Sequence, residues 1–437
     1  MDSFVRVSPR DRRYFELSDG SPYLPIGCNL AVARDASDAH AAALQMSTWL
    51  DRLAAAGGNF ARLWLSAKSL HLEPEAGRVD PVALDAVRRV VDHARGRGVR
   101  LKLCFEHFRY LLPQRPREHL LKPEAFARTA YHLDHGGPLR DMADYLTSPA
   151  GRGLFLHKLD HFARHFADEP AIFGWELWNE MNCVHADGWL QWTADMLGEL
   201  RARFPHHLVM QSLGSLDSVK QQADYAALAQ VAGQDVAQVH RYLDEGAPMP
   251  VCHGPLDVAL ADAVTHLRTL YPTHPLLLAE SGAVEPRHAG PWRHYPDDTQ
   301  GQVLHDVLFA GFFSGGAGPG HAWHWDGYID RLNLWGQFRR FADAIRGIDV
   351  PGEGFEPFTQ SDAASGVRVW GLRGERVTLA WLRDAAWDWR AQFERREQPR
   401  TIADLEVTLP MPRATALPPR PVPVRSWQGS TVVRLPA

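Results

Sequence analysis

Phe173-Gly174-Trp175-Glu176-Leu177-Trp178-Asn179-Glu180 decides how the rest of the chain is read. With Ile172 in front of it, this is an apolar and aromatic run of the kind that forms a short strand covered on both faces. Such a strand does not end in an amide and a carboxylate by packing preference. Glu is rarely buried without a partner, so Glu180 marks either a solvated strand end or a functional cleft. The second reading needs another carboxylate at the end of another buried strand. Leu276-Leu277-Leu278-Ala279-Glu280-Ser281-Gly282 supplies one.

Working outward, strands and helices alternate on both sides of these two runs. Residues 4–23 alternate polar and apolar around the turn Ser18-Asp19-Gly20-Ser21 and read as a hairpin. Core strands are expected at Tyr23–Cys28 (ending at Asn29), Phe60–Leu65, Val99–Phe105, Ile172–Trp178, His207–Ser212, Val236–His240, Leu276–Ala279 and His321–Trp325. Between them fall segments of helical spacing at 38–56, 81–97, 149–167, 187–203, 218–231, 256–270, 298–313 and 332–346. His185, Trp189 and Trp192 are assigned to the fourth of the connecting helices and its packing. The connection 108–147 is long and rich in Pro, His and Arg, and connections of that length usually carry function or are disordered.

Eight strand–helix pairs imply a parallel sheet, and eight repeats imply a closed (β/α)8 TIM barrel. An open doubly wound sheet is the alternative, but no GxGxxG turn or phosphate-cradling loop is present to favour it. After Pro351-Gly352-Glu353-Gly354 the helical period disappears. Val367–Trp370, Val377–Trp381 and Leu405–Leu409 read as strands, and Pro becomes frequent from residue 410. The expectation is a barrel domain over 1–350 with its N-terminal hairpin, followed by a small antiparallel β-sandwich over 351–437.

Composition narrows the function classes. A net charge of −5 gives no electrostatic case for nucleic acid. No apolar run approaches a membrane span. Met1–Arg6 lacks an apolar signal core, which places the protein in the cytoplasm unless a leader has been removed. Cys28, Cys104, Cys183 and Cys252 form no CxxC pair, and His321 with His324 matches no metal-ligand spacing, so neither a metal nor an organic cofactor is expected. Ser212 and Ser281 lie outside any GxSxG elbow, which argues against a serine hydrolase.

In barrels of this kind the active site lies at the C-terminal ends of the strands. The polar and aromatic residues expected there are Asn29, Arg62, His107, Asn179, Glu180, His240, Tyr242, Glu280 and the pair Trp323 and Trp325. Two carboxylates on one rim are what glycosidic cleavage requires, one protonating the leaving oxygen and the other attacking or activating water. The acid then needs a raised pKa and the nucleophile must stay ionised. Arg62 lies among Phe60, Leu63, Trp64 and Leu65, and as a buried cation it would hold a nearby carboxylate charged. An ordinary core ion pair with Glu176 is an equally good reading of Arg62. Trp323 and Trp325 could equally be core.

Trp175-Glu176-Leu177-Trp178-Asn179-Glu180 resembles the strand-four signature of clan A glycoside hydrolases, family 5 most closely. The resemblance covers about residues 15–345. It implies that Glu180 is the acid/base, that Asn179 binds the sugar 2-hydroxyl and that Glu280 is the nucleophile. Ser281 departs from the Glu-Phe-Gly common at that point. Arg62 matches the strand-two Arg, and His240-Arg241-Tyr242 matches a strand-six His-x-Tyr whose Tyr contacts the nucleophile. His107 matches the strand-three His loosely, and Trp323 is preferred over Trp325 as the floor of the sugar subsite. The implied activity is a retaining hydrolase of β-linked sugars, β-mannosides or β-glucosides, with a carbohydrate as its only partner. A transglycosidase on the same residues and a non-catalytic carbohydrate-binding barrel are the alternatives. The connection 108–147 is expected to wall off one end of the cleft and so favour exo action or short oligosaccharides.

Overall fold

The structure, a computed structural model, describes residues 1–67, 70–112, 126–184, 186–362 and 365–437. His185 and residues 113–125 of the long connection lie outside the described residues. The chain opens with a three-stranded antiparallel sheet of β1 (Val5–Val7), β2 (Phe15–Leu17) and β3 (Pro22–Tyr23). This is the expected hairpin with one strand more.

A parallel sheet follows, with strand order equal to chain order: β4 (Gly27–Asn29), β5 (Phe60–Trp64), β6 (Arg100–Glu106), β7 (Ile172–Trp178) and β8 (Leu208–Met210). Its crossovers carry α1 (Ala39–Ala55), α2 (Pro81–Arg97), α3 (Met142–Thr147), α4 (Pro149–Phe166) and α5 (Trp189–Arg203). The helix ends follow from local chemistry. Asp38, Asp80 and Ser148 accept N–H groups of the first turns of α1, α2 and α4, and Pro81 and Pro149 occupy first-turn positions where no N–H is needed. After α6 (Val219–Leu228) a second parallel pair forms from β9 (Ala237–Leu243) and β10 (Leu276–Ala283), linked by α7 (Leu256–Leu270). β5, β6, β7, β9 and β10 are buried along their whole length, which is why each reads as an apolar run.

Hydrogen bonds join the two parallel sheets on both sides. Asp235 N–H donates to Val209 O at 2.9 Å and Leu216 N–H to His240 O at 2.9 Å. On the other side, His321 N–H reaches Leu278 O at 2.8 Å, Trp323 N–H reaches Ser281 O at 2.8 Å, and Asn29 N–H reaches Ala322 O at 3.1 Å. The expected eighth strand at His321–Trp325 is therefore a single parallel bridge, Ser281 to Ala322. It is cut short because Trp325 opens a π-helical turn, Trp325–Asp330, that precedes α9 (Gly336–Ala344). α8 (Gln302–Phe313) fills the crossover before it and is almost entirely buried.

At the expected boundary, 351–354, the chain forms a helical turn, α10 (Val350–Glu353), whose Glu353 accepts the backbone N–H groups of Arg376 and Val377. Beyond it, β11 (Glu356–Asp362), β12 (Val367–Arg373) and β13 (Val377–Asp384) form an antiparallel sheet. The chain then adds β14 (Thr401–Ile402), β15 (Leu405–Leu409), β16 (Arg420–Val424), β17 (Trp427–Gln428) and β18 (Ser430–Pro436). β18 completes the sheet beside β13, while β14 pairs with β17 and β15 with β16 as two separate ladders. β13 shows why both layers form. Ala380 and Leu382 face a small core with Ile402, Val407, Leu409 and Trp427, while Leu379 and Trp381 belong to the main core. Trp381 meets Phe309 of α8 at 5.7 Å, and the buried ion pair of Arg383 with Asp306 ties the same two elements at 3.1 Å. A second pair, Arg368 with the buried Asp257 of α7 at 2.8 Å, pins the sheet to the next helix.

Candidate active site

Glu180 follows the end of β7 with a backbone φ of +54°, a left-handed conformation that non-glycine residues seldom adopt. Two hydrogen bonds hold that turn in place. Asn179 N–H donates to Glu106 O at 2.7 Å, and Glu180 N–H donates to Ser212 Oγ at 3.2 Å. Glu280 is set by a different device. The register between β9 and β10 shifts between Leu278 and Glu280, so Glu280 stands opposite His240. A bulge of this kind re-aims the side chain that follows it. Gly282 continues the turn at φ +144°, where a Cβ would lie 2.6 Å from Tyr295 Oη. That hydroxyl accepts Ala283 N–H at 2.8 Å. Tyr295→Phe would leave this buried N–H without its acceptor, so the variant is expected to lose about 1–3 kcal/mol of stability in denaturant unfolding.

These two backbone settings bring the carboxylates together. One oxygen of Glu180, one ring nitrogen of His240 and one oxygen of Glu280 all lie within 4.8 Å of one another. His240 bridges them: Nδ1 is 3.1 Å from Glu180 Oε1 and 3.6 Å from Glu280 Oε2. Three donors could in principle face a cation here. Two guanidinium groups are already bonded to the same carboxylates, and each repels a divalent ion.

Arg62 organises the surroundings of Glu280. It donates to Glu280 Oε1, to Asn29 Oδ1 at 3.1 Å, to Asn179 Oδ1 at 2.8 Å, and twice to Glu176 at 2.7 and 2.9 Å. The core ion pair with Glu176 and the contact to Glu280 use different nitrogens of Arg62, so the one does not exclude the other. Burial would push the Glu176 carboxyl up, but Arg62 and Lys102 overcome this and hold it at about 2. Because Arg62 can only donate, it fixes which way both amides point. Asn29 then donates to Ala279 O at 3.0 Å and Ala322 O at 3.1 Å. Tyr242 Oη donates to Glu280 Oε2 at 3.0 Å, as the family resemblance implies.

The remaining expected residues separate into two groups. His107 is buried, with Nδ1 2.6 Å from Ser66 Oγ and its ring stacked on Trp64 at 4.8 Å. Trp64 in turn meets Trp323, which is half-buried, at 5.0 Å. Trp325 is wholly buried, edge-on to Trp323 and Trp49. It is core in this structure and does not floor a subsite. Asn29 and Arg62 are also wholly buried, so they reach a ligand only through Glu280 and Asn179.

The surroundings of Glu180 differ from the raised pKa expected of an acid. Arg109 Nη2 bonds Glu180 Oε2 at 2.5 Å. Burial would raise the Glu180 carboxyl, but the His240 hydrogen bond and the Arg109 charge outweigh it and hold it well below the usual carboxylate range. The sequence reading did not single out Arg109. The available signal was its position two residues beyond His107 just past the end of β6. His288, held by Asp244 at 2.9 Å and edge-on to Tyr242 at 5.0 Å, was missed for the same reason, since it lies on the connection after β10.

No protein-family model matches the chain. A probable mannan endo-1,4-β-mannosidase F of Emericella nidulans is 25% identical over 176 residues, a match that spans 37% of this chain and 37% of that relative. Among solved structures, a glycoside hydrolase family 5 protein of Bacteroides vulgatus covers 99% of this chain and 93% of its own at 12% identity, with a TM-score of 0.60. The endo-β-1,4-mannanase of Thermotoga petrophila covers 95% and 91% at 12% identity, with a TM-score of 0.54. A family 5 mannosidase of Rhizomucor miehei covers 74% and 86% at 14% identity, with a TM-score of 0.51. At these identities the structural likeness is one of fold, and the chain has a glycoside hydrolase family 5-like fold.

Proposed function

We propose that the protein is a retaining glycoside hydrolase acting on β-mannosides, with Glu280 as nucleophile and Glu180 as acid/base, built on a closed (β/α)8 barrel with a separate C-terminal β domain. The observation that carries this reading is the approach of the two carboxylates to within 4.8 Å. Oxygens that approach this closely favour the separation of about 5–5.5 Å between carboxyl groups used for double displacement over the 6.5–9.5 Å or so that leaves room for a water in inversion. The division of roles follows from the surroundings. Glu280 accepts bonds from Arg62 and Tyr242, which aim an anionic oxygen at the anomeric carbon. Its attack forms a glycosyl ester as the leaving oxygen takes a proton from Glu180. Glu180 then removes a proton from water, which cleaves the ester with net retention. Asn179, with Oδ1 committed to Arg62, has its amide nitrogen left to donate to the sugar 2-hydroxyl. Support for barrel closure comes from the hydrogen bonds of residues 321–323 to β10 and of Asn29 to Ala322. Support for mannosides comes from the relatives named above.

A panel of aryl β-glycosides that differ only in the sugar tests the reading. The β-mannoside is expected to be cleaved at least about tenfold more efficiently in kcat/KM than the β-glucoside, the scale of discrimination a few polar contacts supply. Proton NMR should show the β-anomer released first. Initial release of the α-anomer would overturn the mechanism, and turnover of no member of the panel would overturn the function.

A further inference from the structure

Both oxygens of Glu180 are occupied in this structure: Oε1 faces His240 Nδ1 at 3.1 Å and Oε2 accepts from Arg109 Nη2 at 2.5 Å. Two donors on one carboxylate favour its charged form, whereas the acid step needs the protonated one. Losing either donor would favour the proton. His240 is wholly buried on β9 between the two carboxylates, whereas the Arg109 side chain is 13% exposed and lies on the connection after β6. The two arginines of the site differ in the same sense. Every guanidinium nitrogen of Arg62 is bonded and none is exposed. Arg109 lies over the Phe126 ring at 4.3 Å, and its Nε is buried with no hydrogen-bond partner among the described residues.

We infer that Arg109 blocks the proton donor in the substrate-free protein and is displaced from Glu180 by the hydroxyl groups of a leaving-group sugar, so that the acid forms only when an oligosaccharide is bound. The inference rests on the assignment of Glu180 as acid/base. The protons balance over a cycle. Glu180 takes one proton from solvent when Arg109 leaves and gives it to the leaving oxygen. It takes another from the attacking water, and releases that one to solvent when Arg109 returns. Besides Arg109, the ionisable groups facing Glu180 are His240 and Tyr242 from β9, Glu280 from β10, His288 from the following connection, Tyr225 from α6 and Cys183 beyond β7. Arg109 makes the shortest contact with Glu180, 2.5 Å against 3.1 Å for His240. Arg109 is thus a positioning residue acting through Glu180.

The test compares wild type, Arg109→Gln and Arg109→Lys on two substrates. One is 2,4-dinitrophenyl β-mannoside, whose leaving group needs no proton, and the other is β-1,4-mannotetraose, whose leaving group does. The pH dependence of kcat/KM reports the free protein, and the alkaline limb for mannotetraose reports loss of the Glu180 proton. Removing a cation raises that pKa, so the limb of Arg109→Gln should move up by about one pH unit or more, while Arg109→Lys stays near wild type. kcat/KM for the dinitrophenyl mannoside, which stops at the glycosyl ester and excludes the step in which Glu180 acts as base, should change by less than about threefold. An unmoved limb, or equal losses on both substrates, would overturn the inference. A second measurement avoids Arg109 variants. Titration of Glu280→Gln with mannotetraose in buffers of different ionisation heat should show uptake of about one proton per site near pH 6. Binding without proton uptake would also overturn the inference. Inactive wild type on the dinitrophenyl substrate would instead count against the assignment of function.

Discussion

Replacing Glu280 by alanine is expected to lower kcat on a β-mannoside by on the order of 10⁴-fold or more, because the covalent route is lost with the nucleophile. The fold should be retained, since Arg62 keeps its buried ion pair with Glu176 when Glu280 is removed. Azide at high concentration then occupies the vacated space, and the product expected is the α-mannosyl azide, formed by one inversion in place of two. An alanine variant within tenfold of wild type would remove Glu280 from the mechanism. Recovery of the β-azide would place the nucleophile elsewhere.

Replacing Arg62 by methionine should be the most damaging change in the interior. Arg62 is wholly buried and neutralises Glu176 and Glu280 while orienting Asn29 and Asn179. Removing one partner of a buried pair leaves an uncompensated charge, at a cost of about 3–5 kcal/mol. Denaturant unfolding should show that loss at neutral pH. The pH dependence follows from Glu176, whose folded pKa is held down at about 2 by Arg62 and Lys102 against the opposing effect of burial. A depressed carboxylate contributes stability above its unfolded pKa of roughly 4.3 and loses it as pH falls through the folded value. The difference between wild type and Arg62→Met should therefore be full above about pH 5 and shrink toward pH 2. A difference that stays constant over that range would mean that packing, and not charge, carries the effect.

The two carboxylates were legible because each breaks a rule of its own segment. An apolar run covered on both faces has no packing reason to end in Asn179-Glu180 or to carry Glu280, and the parallel register brings such ends to one side. The positions of Arg62, His240 and Tyr242 follow from the same register. What the pattern could not carry is geometry set by loops and by single backbone bonds. Arg109 lies in a connection with no period, so nothing in its neighbours announces that it reaches Glu180. The eighth strand was expected over five residues because aromatics alternate from His321 to Trp325, yet one bridge forms before the chain turns into a π-helical turn and buries Trp325. In the C-terminal region, Arg420-Pro421-Val422-Pro423-Val424 pairs with β15 despite its prolines. A strand in a two-stranded ladder tolerates proline where its N–H would face away from the partner.

The central claim is that Glu280 becomes covalently bonded to the anomeric carbon of a β-mannoside while Glu180 serves the leaving group. Intact-mass measurement after incubation with 2-deoxy-2-fluoro-β-mannosyl fluoride, followed by peptide mapping, addresses it directly. A single fluoromannosyl adduct on the peptide containing Glu280 is expected. An adduct on any other residue, or none on a preparation that turns over the parent mannoside, would contradict it.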